Sequence, residues 1–446
     1  MAEIAPFRGL CYNQRLIENL AQVVIPPYDV ISSEEQRVFH ERSPYNFIRL
    51  ELGLPKPEDT DSDNPHTRAA AWISQWEQQG ILTRGCEPSV YSYELDYNTG
   101  PAEVKTRKGF ICVLRLEEFS SGKVRPHEKT FQAVKDERLS LMLSCNANLS
   151  PVFGIYPDSN DQTCSVLVSG RKREPEISFT DLGGMKHRVW PVSDRTVLKQ
   201  LQTVMKDKPI FIADGHHRYE TALNYRSILR ERLGLKPNAS YEYIMVYLTS
   251  MDEPGLTVLP THRLIKNLHD LDCERIFEKA DNSFGIVRFE PGHDGERKWK
   301  DAIKAGGLRK DTAIGLVCKR GAFYCVLTAK RDAVSSLLAH KGVPEPLRTL
   351  DVVVLDQLLL RDFLGLSDQF LANEHNIAFM HDFDEALDAV KSSNFDAGFF
   401  INHTRIEQVR DVASAGLIMP HKSTYFYPKV ISGLVINPLS PQEEIV

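Results

Sequence analysis

Between Lys208 and Gly234 the chain reads KPIFIADGHHRYETALNYRSILRERLG, and its hydrophobic period changes within a few residues. Ile210, Phe211 and Ile212 make an apolar run of the length of a short buried strand. Tyr219, Ala222, Leu223, Tyr225, Leu229 and Leu233 instead recur at helical spacing, with Gly234 as the stop. Asp214 and Gly215 stand at the junction, where glycine permits a positive φ or a close backbone approach. A strand fed straight into a helix restricts the chain to architectures in which helices cover a sheet.

The rest of the sequence extends that alternation. After VVIPPYDVI, Ser32 or Ser33 can cap a helix whose first turn carries Glu34 and Glu35. SPYNFIRLELG reads as a strand ending at Gly53, LPKPEDTDSDNPH as a surface loop, and TRAAAWISQWEQQGIL as a helix with Ala70, Trp72, Ile73 and Trp76 inward. Strands follow at VYSYELDY and GFICVLRLEEF, joined by a polar loop NTGPAEVKTRK, then a helix around KDERLSLMLSC and strands at SPVFGIYPD, HRVWPVSD and YIMVYLTSM. Beyond Arg263 come helices at CERIFEKA, LDVVVLDQLLLRDFL and FDEALDAVKS and strands at FGIVRFE, TAIGLVCKR, AFYCVLTAK and AGFFIN. The fold class is α/β of the mixed α+β kind, and 446 residues suggest two or three domains. We place them at residues 1–103, 104–263 and 264–446, the outer two α+β.

Charge and cysteine usage narrow the function classes. A formal charge of −6 lacks the basic excess that holds nucleic acid, so no nucleic-acid partner is expected. The eight cysteines form no C-x-x-C pair, and most sit in apolar runs as reduced core thiols do. MAEIAPFRGLCYNQ has no apolar signal core and LDVVVLDQLLL is broken by Asp356, so a cytoplasmic protein without a membrane partner is expected. Self-association is left open.

The chemistry concentrates at the junction. Amides in the first turn of a helix starting near His216, together with its dipole, favour an anion, and Arg218 offers a planar fork for phosphate oxygens. Asp214 repels a bare phosphate, so it either caps the helix or meets a metal ion or a ligand proton. Zinc is disfavoured: adjacent helical positions diverge by about 100°, and no H-x-x-x-H or cysteine pair supplies more ligands.

DGHHRYETAL, with VRPHEKT, PPYDVIS, PYNFIRLELG and MPHKSTYFYPK, resembles domain of unknown function 1015 over nearly the whole chain. The central part also resembles the ParB/sulfiredoxin superfamily, and within it the free serine kinases by D-G-H-H-R. That resemblance implies a nucleotide-binding central domain, ATP or ADP as phosphate donor, use of Mg²⁺ at Asp214, and a small hydroxyl metabolite, free L-serine, as acceptor. Sulfiredoxins carry a cysteine where His216 stands, and ParB proteins continue into a DNA-binding helical domain that is absent from this pattern. The implied catalytic residues are Glu128 as base, Asp214 and His217. Gly215, His216, Arg218, Thr130, Lys135 and Arg138 are the nucleotide or phosphate contacts. Tyr28, Asp29, Asn46, Arg49, Lys422, Ser423 and Thr424 either shape a substrate pocket or fix turns. A nucleotide-binding regulatory protein and a phosphatase are the rival readings. No Walker A or G-x-G-x-x-G sequence is present.

Overall fold

A long antiparallel hairpin organises the first part of the chain. In the computed structural model, which describes residues 2–100, 103–268, 273–318, 324–373, 375–392, 394–440 and 442–445, Val90–Gly100 pairs with Glu103–Arg115. The polar loop expected from Asn98 to Lys108 is therefore replaced by strand, apart from residues 101–102, which lie outside the described residues. Cross-strand polar pairs sustain it. Thr106 Oγ1 donates to Asp96 at 2.7 Å, and Arg188 from the neighbouring strand grips the same carboxylate at 2.8 Å.

The described residues divide into two compact units. The first comprises Met1–Pro126, Thr130–Thr257 and Pro428–Val446. Its sheet has the order Val124–Arg125, Ile210–Asp214, Val152–Tyr156, Tyr243–Ser250, Glu103–Arg115, Val90–Gly100, Lys186–Val192, Ile177–Thr180, with Ile4–Ala5 also paired to Glu103–Arg115. The sheet is mixed: Val152–Tyr156 lies parallel to Tyr243–Ser250 and antiparallel to Ile210–Asp214. Tyr243–Ser250 is buried from end to end, which is why YIMVYLTSM reads as a continuous apolar run. The helix His216–Leu233 buries Tyr219, Ala222, Tyr225 and Leu229 in one core with Ile210, Ile212 and Leu248, while Leu233 is exposed. The mixed α/β class is thus the observed one.

Ser32 caps the helix Ser33–Arg42 through a reciprocal box with Glu35. The strand expected at SPYNFIRLELG is instead a short helix, Ile48–Glu51. Asn46 is the cause. Fully buried, it donates through Nδ2 to Gln22 O at 2.7 Å and accepts Ile48 N–H at 3.0 Å, spending a backbone donor that a strand ladder needs. The helix Pro65–Gln78, capped by Asn64, buries Ala69, Ile73 and Trp76, with Ala70 and Trp72 only partly covered.

The second unit, His127–Lys129 with Val258–Tyr427, holds an antiparallel sheet in the order Phe284–Phe289, Tyr324–Ala329, Ala313–Cys318, Ala397–Phe400, His262–Ile265, Ile377–Met380. Trp299, Ile303, Leu387, Val390 and Phe400 form its core. The sequence LDVVVLDQLLLRDFL is helical but changes from α to π geometry at Leu355. Among the described residues six cysteines are free thiols, and Cys318 is disulfide-bonded, so the reduced-thiol expectation does not extend to it. No helix among the described residues is long and apolar enough to cross a membrane.

Candidate active site

The junction forms as its residues dictate. A register shift between Ile212 and Asp214 ends the strand, and Gly215 takes φ +87 in the left-handed region before the helix begins at His216. No side chain caps this helix and no acid occupies its first turn. A Cβ on Gly215 would sit 2.9 Å from Arg218 Nε, so glycine is required by contact as well as by φ. Arg218 is folded back beneath the turn. It donates to Pro151 O and, at 2.7 Å, to Asp214 Oδ2.

Lys429, from the last segment of the first unit, pairs with the other oxygen, Asp214 Oδ1. Both side chains are largely buried, at 12% and 13% exposure. Burial on its own raises the Asp214 carboxyl, but the charges of Lys429 and Arg218, then the Lys429 hydrogen bond and His216, outweigh it and hold the carboxyl below the usual range. Lys429 and Arg218 offset the Asp214 charge, with Asp29 and Glu51 also acting on Arg218, so the repulsion expected between Asp214 and a phosphate is reduced.

One helical turn further on, Glu220 gathers two of the expected contacts. Thr130 Oγ1 donates to its Oε2 at 2.9 Å, and Lys135 Nζ pairs with the same oxygen at 2.7 Å. His217 accepts Phe131 N–H through Nε2 at 2.9 Å, which puts the ring proton on Nδ1, and its ring stacks on Phe131. His216 is buried.

Beneath the turn lies a buried ionic layer. Arg138, expected at the phosphate, packs over the Tyr28 ring at 4.2 Å and donates to Glu51 Oε1 at 3.3 Å and Glu51 O at 3.0 Å. Ser150 also donates to Glu51 Oε1, at 3.1 Å. Burial raises the Glu51 carboxyl more than Arg138 and Arg218 lower it. Glu51, Arg138, Ser150, Arg218 and Thr221 line a cavity of about 50 Å³. Among the described residues Glu51 Oε2, Arg218 Nε and Thr221 Oγ1 have no hydrogen-bond partner. Asp29 acts on Arg218 through its charge, and burial pushes the Tyr28 hydroxyl up to about 12. Asn46 and Arg49 are committed elsewhere. Arg49 donates to His40 O at 2.8 Å and lies over Trp72, so it links three helices.

Glu128 belongs to the second unit. Its Oε1 accepts Lys422 N–H at 3.2 Å and faces His421 Nδ1 at 3.2 Å. Next to it Thr424 Oγ1 meets His127 Nε2 at 3.0 Å, and Ser423 Oγ donates to Pro420 O at 2.6 Å. Lys422 adopts φ +56. The structure therefore joins Glu128 to Lys422, Ser423 and Thr424 within one unit, and joins Asp214, Arg218, Tyr28, Asp29 and Arg138 within the other.

Four residues of these clusters escape a reading of the sequence: Lys429, Glu220, Glu51 and His421. Glu51 carries the clearest signal, an acid inside the apolar FIRLELG. Lys429 ends the motif MPHKSTYFYPK, but that motif does not point to its partner 215 positions away.

A family model described as Protein of unknown function (DUF1015) matches residues 4–353. The chain belongs to that family. No curated protein matches it. Among solved structures, a conserved hypothetical protein from Pyrococcus furiosus is 13% identical, with 72% of this chain and 92% of that one covered and a TM-score of 0.33. A free serine kinase in complex with AMP is 12% identical over 71% and 86% of the two chains, TM-score 0.33. SbnI with a C-terminal truncation, from Staphylococcus aureus, is 9% identical over 74% and 87%, TM-score 0.34. These likenesses are loose and carry no weight for the chemistry.

Proposed function

We propose that this DUF1015 protein holds a nucleoside di- or triphosphate by its terminal phosphates at the 214–218 turn and transfers phosphate to a small hydroxyl compound, free serine first among those to test. The observation that supports it most is the start of the His216–Leu233 helix: a left-handed Gly215, no side-chain cap, no acid in the first turn, and a neighbouring Asp214 neutralised by two cations. Helix amides and the helix dipole favour an anion there, and the D-G-H-H-R resemblance points the same way.

In the transfer, the acceptor oxygen forms a bond to the terminal phosphorus as the bridging P–O bond breaks, the hydroxyl proton passes to a general base, a role that the free serine kinase resemblance gives to Glu128, and the shortened nucleotide leaves with the bridging oxygen. His421 Nδ1 and the Lys422 amide both lie 3.2 Å from Glu128 Oε1. Mg²⁺ does not fit at Asp214: both carboxylate oxygens are held by cations, and among the described residues no group of three or more His, Cys, Asp or Glu is placed to hold a metal.

Incubation with ATP or ADP and a panel of hydroxy amino acids, read by phosphorus NMR, tests the assignment. A new phosphomonoester is expected. Glu128→Ala should lower its formation by about 10²–10⁴-fold while nucleotide still binds. Nucleotide binding without any product favours the regulatory reading, because Asp214 is already neutralised without a metal. Failure to bind nucleotide removes the proposal.

A further inference from the structure

We propose that Lys429 is the resident cation of the turn: it takes at Asp214 the place that a divalent ion takes in metal-dependent phosphate sites, so that a bound phosphate is neutralised by this ammonium group and helix amides without a metal bridge to Asp214. The phosphate half of this rests on the function proposed above; the exclusion of a metal from Asp214 stands on its own geometry.

Three observations carry it. Lys429 Nζ lies in ion-pair contact with Asp214 Oδ1, and Arg218 Nη2 holds Oδ2 at 2.7 Å, so neither oxygen is offered to a metal. The ammonium is held in place from its own backbone: Arg107, fully buried, donates through Nη1 to Pro428 O, which fixes the residue immediately before Lys429. Arg218 is the more heavily committed of the two cations, its guanidinium folded under Gly215 and donating to Pro151 O as well as Asp214. A hard divalent ion such as Mg²⁺ requires a near-octahedral oxygen shell at about 2.0–2.1 Å. Here it would meet a positive group where its carboxylate ligand should be. Lysine serves as a point charge toward phosphate, and this one already lies next to the helix start.

The test combines a metal readout with a phosphate readout. Mn²⁺ binding is measured by electron paramagnetic resonance on the full chain, wild type, Asp214→Asn, Lys429→Met, Lys429→Arg and the double variant Lys429→Met/Asp214→Asn. Affinity for inorganic phosphate and for ADP is measured calorimetrically in EDTA and in Mg²⁺. Wild type and Lys429→Arg should show no Mn²⁺ that depends on Asp214. Lys429→Met should gain such a site and the double variant should lose it. Inorganic phosphate should bind wild type equally, within about threefold, in EDTA and in Mg²⁺, and Lys429→Met should bind it at least tenfold more weakly in EDTA, since one lost charge contact to an anion is of that order. Wild-type Mn²⁺ binding abolished by Asp214→Asn overturns the inference, as does unchanged phosphate affinity in Lys429→Met. Absence of phosphate and ADP binding in wild type defeats the function proposal and the phosphate half alone, and the Mn²⁺ comparison then decides the metal half. Should Lys429→Met not fold, as judged by circular dichroism, wild type against Asp214→Asn still decides the metal question.

Discussion

Replacing Asp214 by asparagine removes the one negative charge that faces both Lys429 and Arg218 in a largely buried corner. At the Arg218 separation of 2.7 Å and an effective dielectric near 20, the Coulomb attraction alone is about 6 kcal/mol. Desolvation of the three groups offsets much of that, but truncating one partner also leaves two cations close together, with Asp29 and Glu51 acting on Arg218 as partial compensation. The net loss should be about 3–5 kcal/mol, a large share of the stability of a domain. Urea unfolding at pH 7 of wild type, Asp214→Asn, Lys429→Met and the double variant measures it, with a coupling of about 1–3 kcal/mol expected from the cycle. The pH dependence has a fixed sign. The Asp214 carboxyl is lowered in the fold, so its stabilisation is present above about 3.8 and is lost as pH falls through the lower folded value; the gap between wild type and Asp214→Asn should narrow below that pH. Glu51→Gln is the control with the opposite sign. Burial raises this carboxyl, so its favourable share exists below about 4.5 and disappears as pH rises through the folded value. At pH 7 the glutamine, which keeps an acceptor for Arg138 and Ser150, should lie within about 1 kcal/mol of wild type or above it. A loss under about 1 kcal/mol for Asp214→Asn, or equal losses for the two variants, would refute the argument that Coulomb attraction wins at one acid and desolvation at the other.

Gly215→Ala places a Cβ against the Arg218 guanidinium at φ +87 and should cost about 1–2 kcal/mol or more in thermal unfolding, with weaker nucleotide binding by calorimetry. Thr221→Val removes a buried hydroxyl that lacks a partner among the described residues and should raise stability by about 1 kcal/mol in the same denaturation assay; a loss would show the hydroxyl to be bonded to solvent in the cavity. Burial lowers His262 to about 3, so its contribution is present above about 6.5 and is lost as pH falls toward 3, by up to about 5 kcal/mol. His262→Phe should flatten that part of the stability profile of the second unit; an unchanged slope by urea titration at pH 4 and pH 7 would count against it.

Periodicity made much of the framework readable. The Ile210–Asp214 strand, Gly215, the His216–Leu233 helix and the central strand Tyr243–Ser250 all follow from spacing and turn chemistry local to a few residues. Failures arose where a distant partner overrode the local pattern. FIRLELG has strand-like composition, yet Asn46 reaches Gln22 and sets a helix. The polar run after Tyr97 looks like a loop until Asp96 finds Arg188. At the candidate site the same division holds. The anion-favouring turn is visible in five consecutive residues, whereas the neutralisation of Asp214 by Lys429 and the burial of Arg138 against Glu51 depend on contacts that no local window contains.

The last segment of the chain returns to the first unit. Asn437 pairs with Asn148, Ile436 bridges to Leu10 and Ser432 to Ile25, and Lys429 reaches Asp214. During synthesis from the amino end, the aspartate emerges 215 residues ahead of its lysine. At about 5–20 residues per second that is an interval of roughly 10–45 s in which a buried acid waits for its counter-charge. Residue 429 must be made before this corner can close, so a nascent chain stopped between residues 258 and 428 should have the strands of the first sheet but not a settled turn.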